Sequence, residues 1–369
     1  MNYQIEERTL HFKQPAGTSR GVYTTRKIWL VHLYDGNREG LGECAPLPDL
    51  SCDAHPDYAE VLDKFCAEFC RWQDSHGDCP SCELRSGSHR DCPLCETLRD
   101  YPSMLFGLET ALLSLQSQEL PAPVGEGSGV GSIKLFNTAF SRGEEGIPIN
   151  GLVWMGNYDE MLRRLEEKLQ KGFRCVKLKI GAIDFDQELD LVKRIRDRFS
   201  FHEVELRLDA NGAFPFEEAL YKLELLSQYA IHSIEQPIRQ GQWAYMAELC
   251  RESPLPIALD EELIGVNDAE MKRHMLNVIK PRYIILKPSL HGGMAGCREW
   301  IEASREQGIG SWITSALESN IGLNAIAQFA SDVYGPHITM PQGLGTGQLF
   351  TDNIPMPLEI RGDQLWRCL

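Results

Sequence analysis

Two lysines, Lys177 and Lys179, interrupt a segment that otherwise has the pattern of a buried strand, FRCVKLKIG at residues 173–181. Because successive side chains alternate between the faces of a strand, both ammonium groups point the same way, toward the expected core. Burial and a neighbouring like charge both lower the pKa of an amine. A lysine held in this way can act as a general base near neutral pH, and Lys177 is then the neighbour that keeps Lys179 partly uncharged.

Three carboxylates end consecutive short apolar segments farther along the chain: Asp209 in LRLDANG, Glu235 in SIEQP and Asp260 in IALDEE. The spacings of 26 and 25 residues each match one strand–helix unit, so the three side chains reach the same edge of a parallel sheet. Taken alone, each acid is equally well a strand-end cap or a loop contact. Three converging carboxylates, however, repel one another unless a cation neutralises them. An all-oxygen set of this kind predicts Mg²⁺, allows Mn²⁺ and disfavours Zn²⁺.

A third lysine, Lys287 in ILKPS, ends the next apolar segment and extends the set by one unit. In a closed eight-stranded barrel, Lys179 on the second strand and Lys287 on the sixth lie on opposite sides of the cavity. Lys179 is then placed to remove the proton alpha to a metal-bound carboxylate, and Mg²⁺ stabilises the enediolate that forms. The alternative is a buried lysine pair that acidic neighbours satisfy without any catalysis.

The elements that must position these residues repeat regularly from residue 147 onward. Eight strand candidates recur at intervals of roughly 25 residues: IPINGLVW, CVKLKIG, VELRLDANG, IHSIEQPI, PIALDEEL, YIILKPSL, GSWITSAL and HITMPQGL. Amphipathic stretches such as DEMLRRLEEKLQKG separate them, with apolar residues at helical spacing. The pattern predicts an α/β fold with a (β/α)₈ barrel of the TIM type. An open doubly wound sheet is the alternative, weakened because no glycine-rich dinucleotide motif follows the first strands.

The first third of the chain has a different pattern. TTRKIWLVHLYDGNREGLGECAPLP alternates like antiparallel strands joined by a turn at Asp35-Gly36-Asn37, and helical stretches follow at 56–72 and 102–118. We expect a separate α+β domain over residues 1–125, a linker over 126–146 and the barrel over 147–355. The tail, 356–369, is expected to return to the first domain. The QPAGTSRG segment, within 14–27, is either a mobile loop or a plain hairpin connection.

These residues resemble the enolase superfamily, in the subgroup that has a Lys-x-Lys motif on the second barrel strand. The matching segments are KLK (177–179), DANGAF (209–214), IEQP (234–237), LDE (259–261) and ILKPS (285–289). GLGECAPLP, at residues 40–48, looks like the strand and turn of that superfamily's capping domain. The resemblance therefore implies a modified barrel with an α+β capping domain.

Within the subgroup, the resemblance implies one of two reactions on a small-molecule carboxylate. The first is a Mg²⁺-dependent dehydration of a cyclohexadiene carboxylate in menaquinone synthesis. The second is epimerisation of dipeptides or racemisation of N-acylamino acids. Epimerases of the subgroup usually carry Asp-x-Asp on the last strand, where this chain has MPQGLGTGQLF and no acid before Asp352. We therefore expect the dehydration, with the epimerase or racemase as the alternative.

The resemblance also implies roles for individual residues. Lys179 is the base that then assists loss of the hydroxyl, and Lys287 stabilises the anionic intermediate. Asn211 and Glu261 orient the metal ligands, or else make ordinary loop hydrogen bonds. Ser315, in WITSALES, and Gly343, on the last strand, are expected to bind the substrate.

The amino-acid composition argues against some classes of partner and bears on the location of the protein in the cell. The formal net charge of −16 argues against a nucleic-acid partner, because phosphate binding needs a basic surface. No apolar run is long enough for membrane insertion, and the first residues lack the layout of a signal peptide. We expect a cytoplasmic protein whose 12 cysteines are mostly reduced thiols or metal ligands. The oligomeric state is not encoded in any pattern of this kind.

A pair of Cys-x-x-Cys motifs departs from the superfamily pattern. Its four cysteines are Cys79, Cys82, Cys92 and Cys95, in CPSCELRSGSHRDCPLC. Four thiolates in this pairing suit a structural tetrahedral Zn²⁺, although the intervening loop is shorter than usual. Reduced thiols without metal, a redox dithiol and a docking module for a protein partner are the alternatives.

Overall fold

The computed structural model describes residues 1–18, 21–76, 97–117 and 133–368. The described part of its amino-terminal domain contains three antiparallel strands and two helices: β1 (Asn2–Thr18), β2 (Gly21–Asp35), β3 (Arg38–Cys44), α1 (Tyr58–His76) and α2 (Pro102–Ser117). Strands β2 and β3 pair from Asp35 and Arg38 onward, and Gly36 between them adopts a φ of 60°. The left-handed backbone at this position explains why the turn contains glycine. The predicted hairpin is therefore present.

Helix α2 lies directly on β3 because glycines remove the side chains between them. A Cβ atom on Gly42 would lie 1.9 Å from the carbonyl oxygen of Gly107, and one on Gly40 would lie 2.1 Å from that of Ala111. A larger residue at either position would push the helix away from the strand. This packing places Glu43, the next residue along β3, in a fully buried position.

The rest of the chain forms a barrel of parallel strands surrounded by helices. A short strand β4 (Ile147–Pro148) precedes the barrel strands β5 (Gly151–Val153), β6 (Cys175–Lys179), β7 (Glu205–Asp209), β8 (Ser233–Glu235), β9 (Ile257–Leu259), β10 (Tyr283–Leu286) and β11 (Gly310–Ile313). The helices are α3 (Tyr158–Gln170), α4 (Phe185–Arg198), α5 (Phe216–Ser227), α6 (Trp243–Glu252), α7 (Ala269–Ile279), α8 (Gly293–Glu306) and α9 (Asn320–Tyr334). Strands β5 to β11 pair in chain order, which is the topology that the sequence predicts.

The eighth predicted barrel strand is reduced to two bridging residues. Gln342 forms a parallel bridge with Ile149 at the start of β5, and Gly343 forms one with Thr314 at the end of β11. The Gln342 N–H donates to the carbonyl of Pro148 at 2.8 Å. These contacts connect the first and last strands, so the seven-stranded sheet closes into a barrel through the 342–343 segment.

The apolar faces of the helices cover the outside of the barrel strands. Helix α4, for example, buries Leu191, Val192 and Ile195, at the spacing of one helical face. Arg196 and Arg198 lie in its last turn, where they oppose the negative end of the helix dipole. Within the described ranges, no helix combines the length and the apolar character needed to cross a membrane.

The chain after the barrel differs from the expectation that residues 356–369 return to the capping domain. Strands β12 (Leu358–Arg361) and β13 (Gln364–Arg367) form a hairpin, and β13 pairs with β4 at the entry to the barrel. Leu365 is buried in the barrel core, which accounts for this location. The described part of the expected linker also packs there, through Leu135, Phe136 and Phe140.

Candidate active site

Strand register brings the charged residues together at the carboxyl ends of the barrel strands. Lys179 on β6 pairs with Asp209 on β7, and Asp209 pairs with Glu235 on β8, so the three lie side by side. Asp260 directly follows β9, and Lys287 directly follows β10. The carboxyl ends of parallel strands share one edge, and this is the edge at which barrel enzymes place their active sites.

Lys177 lies between two of the carboxylates. Its Nζ atom is 2.5 Å from Glu235 Oε2 and 2.9 Å from Asp209 Oδ2. Burial alone would lower the pKa of Lys177, but the carboxylates of Asp209 and Glu235 outweigh it, and the pKa is raised. Its ammonium group is therefore a fixed positive charge beside Lys179.

Lys179 has a different set of neighbours. Its Nζ atom donates to Asn211 Oδ1 at 2.7 Å and lies 3.4 Å from Asp209 Oδ2. The indole ring of Trp154, at the mouth of the barrel just after β5, faces this amine with its centroid 5.6 Å away. Lys179 borders the same cavity as Trp154, so its amine can reach a bound substrate.

Lys287 forms an ion pair with Asp260 on the other side of the cavity. Burial opposes the charge of this lysine, but Asp260 and Glu235 raise its pKa, so it is held as a cation. The Lys287 backbone N–H donates to His291 Nδ1 at 2.9 Å, which keeps that ring nitrogen unprotonated. Burial lowers the pKa of His291 to about 3, so the imidazole remains a neutral acceptor that fixes the backbone of Lys287.

The three carboxylates carry buried oxygens that fit a metal ion. Asp209 Oδ2, Glu235 Oε1 and Asp260 Oδ1 each accept no hydrogen bond, although Asp209 Oδ2 lies within ion-pair distance of Lys177. Such oxygens are costly to bury unless a cation or a donor reaches them. Among the described residues, however, no three His, Cys, Asp or Glu side chains lie at metal-binding spacing. Lysine ammonium groups lie against the carboxylates in this arrangement.

Asn211 and Glu261 connect the lysine to the acids. Asn211 donates to Glu261 Oε1 at 2.9 Å through its side chain and to Asp209 Oδ1 at 3.1 Å through its backbone. Burial and the charge of Asp260 raise the pKa of Glu261 to about 7. Asn211 therefore links Lys179, Asp209 and Glu261, which is the kind of contact that orients ligands around a metal.

A cavity of about 500 Å³ lies above these charges. Residues from many parts of the chain line it, among them Gln14, Trp154, Leu317, Gly345 and Leu349. Gln14 comes from the β1–β2 hairpin of the capping domain, so both domains contribute to the cavity walls.

The two residues expected to bind substrate line the cavity, but their polar groups have other partners. The Ser315 hydroxyl donates to Glu318 Oε2 at 2.5 Å. The Gly343 N–H donates to the carbonyl of Ile313 at 2.8 Å, as part of barrel closure. A Cβ on Gly343 would lie 2.1 Å from Thr314 Oγ1, which explains the glycine. Substrate binding by these two residues stays a prediction.

Sequence reasoning did not identify several residues of the site. Trp154 and His291 were missed because neither belongs to a charged strand-end series. Glu318 was missed although it stands in the WITSALES segment, because its link to Ser289 on another loop is not visible in the sequence. The four cysteines of the predicted zinc site, Cys79, Cys82, Cys92 and Cys95, lie outside the described residues.

Comparison with known proteins identifies the family. A family model described as enolase C-terminal domain-like matches residues 160–361, over half of the chain. The chain belongs to the enolase superfamily. A second model, described as the MenC N-terminal domain, matches residues 18–87. Members of this superfamily share the barrel and the capping domain seen here.

Known members of the superfamily are similar to this chain over nearly its whole length. The o-succinylbenzoate synthase of Desulfotalea psychrophila is 46% identical over 99% of this chain and 98% of its own length. The crystal structure of MenC from the same organism has a TM-score of 0.79 at 42% identity and covers 99% of both chains. The L-Ala-D/L-Glu epimerase of Bacillus subtilis has a TM-score of 0.76 at 19% identity, covers 100% of this chain and 96% of its own, and shows the fold alone.

Proposed function

We propose that this chain is an o-succinylbenzoate synthase, a lyase that eliminates water from 2-succinyl-6-hydroxy-2,4-cyclohexadiene-1-carboxylate in menaquinone biosynthesis. The observation that carries the proposal is the likeness to the Desulfotalea psychrophila synthase over the whole of both chains. Capping domain and barrel both contribute to that likeness, and both line the cavity. The substrate is a small-molecule carboxylate.

Asp209, Glu235 and Asp260 are proposed to hold the Mg²⁺ ion, with Mn²⁺ as a possible substitute. Their acceptor-only oxygens at the mouth of the barrel support this assignment. When bound, the ion supplies positive charge for a substrate carboxylate and for the negative charge that develops on it. Asn211 and Glu261 are proposed to hold Asp209 and Asp260 in place.

Lys179 is proposed to transfer the protons. As a free amine it accepts the proton alpha to the ring carboxylate, and it becomes an ammonium group. That ammonium then donates a proton to the departing hydroxyl, which leaves as water while the ring becomes aromatic. One amine serves both half-steps, because the proton and the hydroxyl are on neighbouring carbons.

The other two lysines are proposed to act as fixed cations. Lys287 faces the substrate from the opposite wall and stabilises the anion that forms after proton removal. Lys177, held as an ammonium by Asp209 and Glu235, places a fixed positive charge beside the Lys179 side chain. Neither role requires a proton to leave these residues.

An epimerase or racemase is the second candidate, because it would use the same two lysines. The last strand argues against a dipeptide substrate. It carries Gly343 and Gly345 and no acid until Asp352, whose carboxylate bonds to His11. A substrate ammonium buried there without a partner would cost about 2 kcal/mol or more.

Two further proposals concern the location of the enzyme in the cell and a structural metal ion. A cytoplasmic location is supported by the eight free cysteines among the described residues, because thiols stay reduced in that compartment. A structural Zn²⁺ at Cys79, Cys82, Cys92 and Cys95 is supported by the paired Cys-x-x-Cys spacing.

The proposed function is tested with two substrates and the purified protein in Mg²⁺. The change in ultraviolet absorbance follows conversion of the diene to the aromatic product. Deuterium exchange from solvent into a panel of dipeptides follows epimerisation. We expect rapid dehydration and slow exchange; fast exchange with negligible dehydration would replace the synthase by the epimerase.

A further inference from the structure

The loop of residues 315–319 follows β11 and leads into helix α9, and we name it the Ser315–Ser319 loop. Ser315 and Leu317 line the cavity. Leu317 has a φ of 66°, in the left-handed region that a residue with a side chain rarely adopts. A backbone of this kind persists only where its surroundings hold it. The contacts that hold it come largely from the other domain.

Arg26, on β2 of the capping domain, donates hydrogen bonds to backbone carbonyls of this loop. Its guanidinium is buried, and Nε donates to the carbonyl of Leu317 at 3.1 Å, while Nη2 reaches that of Ala316 at 3.4 Å. The same group donates to the carbonyls of Ala45, at 2.5 Å, and Pro46 in the turn after β3. Only a forked cation with several N–H groups can reach four carbonyls at once.

Glu43, on β3, binds the other end of the loop. Its carboxylate accepts the backbone N–H groups of Ser319 and Gly322, each at 2.8 Å, and the Ser319 hydroxyl. These N–H groups belong to the first turn of α9, which has no partners of its own for them. Ser319 itself accepts from the Ile321 N–H, and the carboxylate from the capping domain completes this cap at the positive end of the helix dipole.

Glu318 connects the loop to the segment that carries Lys287. It accepts from the Ser315 hydroxyl at 2.5 Å and from the Ala316 N–H at 2.7 Å. It also accepts from the hydroxyl of Ser289, which is two residues beyond Lys287. The loop is thus fixed by three buried charged side chains, of which two come from the capping domain.

From these contacts we infer that Arg26 is a positioning residue, which sets the Ser315–Ser319 loop against the substrate from the neighbouring domain. The identity of the substrate in this inference rests on the proposed function. The positioning of the loop rests only on the hydrogen bonds described above. Arg26 touches none of the lysines or carboxylates at the mouth of the barrel. Its removal should therefore weaken the binding of substrate and transition state alike, which raises KM and leaves kcat nearly unchanged.

The test compares Arg26→Met with Arg99→Met. Arg99 is also a capping-domain arginine that reaches the barrel, where it forms an ion pair with Glu299 at 2.8 Å, away from the cavity. We expect Arg26→Met to raise KM for the diene about tenfold, with kcat within about threefold. Arg99→Met should leave both constants within about twofold of the parent. Arg26→Lys, which keeps the charge but reaches fewer carbonyls, should fall between.

Hydrogen–deuterium exchange provides a readout that needs no turnover. Backbone amides of residues 315–322 should exchange faster in Arg26→Met than in the parent or in Arg99→Met. Glu43→Gln serves as the second variant if Arg26→Met does not fold, and it should show the same local exchange and the same rise in KM. If both arginine variants change KM, kcat and exchange in parallel, Arg26 only holds the domains together and the inference is wrong.

The two proposals can fail separately. A parent protein that does not dehydrate the diene, but whose 315–322 amides are loosened by Arg26→Met, would reject the synthase and support the loop assignment. An active parent with unchanged exchange in Arg26→Met would retain the synthase and overturn the assignment. Both measurements use the full-length chain.

Discussion

The amine of Lys179 donates to the side-chain oxygen of Asn211 over 2.7 Å, and the amide nitrogen of Asn211 donates in turn to Glu261 over 2.9 Å. Asn211 can accept and donate simultaneously because its amide carries both functions. The contact fixes the direction of the Lys179 side chain, which has four rotatable bonds. The orientation of the proposed base therefore depends on Asn211, which takes no part in the proton transfer.

Replacing Asn211 by alanine should therefore lower kcat for dehydration by about 10- to 100-fold, the size typical of residues that orient ligands. The reason is the loss of the hydrogen bond that aims Lys179. Steady-state kinetics at saturating substrate provide the measurement. Asn267→Ala is the control, because Asn267 donates to Asp100 at 3.0 Å at an exposed position. Equal kinetics for the two variants would show that Lys179 needs no such orientation.

Removing the amine altogether should have a larger effect. We expect Lys179→Ala to lose activity by more than the roughly 10²- to 10⁴-fold typical of one acid–base group, because one amine serves both half-steps. The matched control is Lys193→Ala, an exposed lysine on α4 that pairs with Asp197. Exchange of the substrate's alpha proton should stop together with dehydration. Exchange that persists in Lys179→Ala would transfer the role of base to another residue.

Chelation of divalent metal by EDTA should abolish turnover, and added Mg²⁺ or Mn²⁺ should restore it. Glu235→Gln and Asp260→Asn should weaken Mg²⁺ binding as measured by calorimetry, since each removes charge from a buried oxygen ligand. Asp197→Asn, at an exposed position on α4, is the control. A ligand variant that binds Mg²⁺ like the parent would remove that residue from the metal site.

Glu109 should contribute to the pH dependence of the free energy of unfolding. This residue of α2 accepts the N–H groups of Met294 and Ala295 at the start of α8, and burial raises its pKa to about 8. A carboxyl whose folded pKa exceeds its unfolded value binds more protons when folded, so its contribution to stability is lost as pH rises from about 4.5 to 8. Arg298 and Glu299 on α8 are the charged groups that act on it.

Urea unfolding between pH 5 and 8.5 measures this contribution. The free energy of unfolding of the parent, taken relative to Glu109→Gln, should decrease as pH rises through this range. The glutamine keeps the shape and cannot titrate, so other groups cancel in the comparison. If the free energies of unfolding of the parent and of Glu109→Gln change with pH in the same way, the pKa of Glu109 is not raised in the folded chain.

The strand-end carboxylates and lysines were predictable because periodicity alone places them. A strand–helix unit has a nearly constant length, so Asp209, Glu235 and Asp260 had to reach one edge of the sheet. The contacts of Arg26 were not predictable, because Leu317 is 291 residues away in the chain and the contact depends on how the two domains meet. The hydrogen bonds of Ser315 to Glu318 and of Gly343 to Ile313 were likewise not predictable, because no local pattern shows them.

The position of Gly345 allows a direct test of how the last strand selects the substrate. A Cβ there would have only ordinary contacts, 3.6 Å from the Asn150 carbonyl oxygen, whereas one on Gly343 would collide with Thr314. Gly345→Asp should therefore fold and place a carboxylate at the cavity. Because the proposed substrate carries two carboxylates, we expect its KM to rise about tenfold, and added salt to reduce the effect. Gly345→Asn, which has nearly the same shape without the charge, should change KM by less than about threefold. If the two variants raise KM equally and independently of salt, the last strand excludes groups by size rather than by charge.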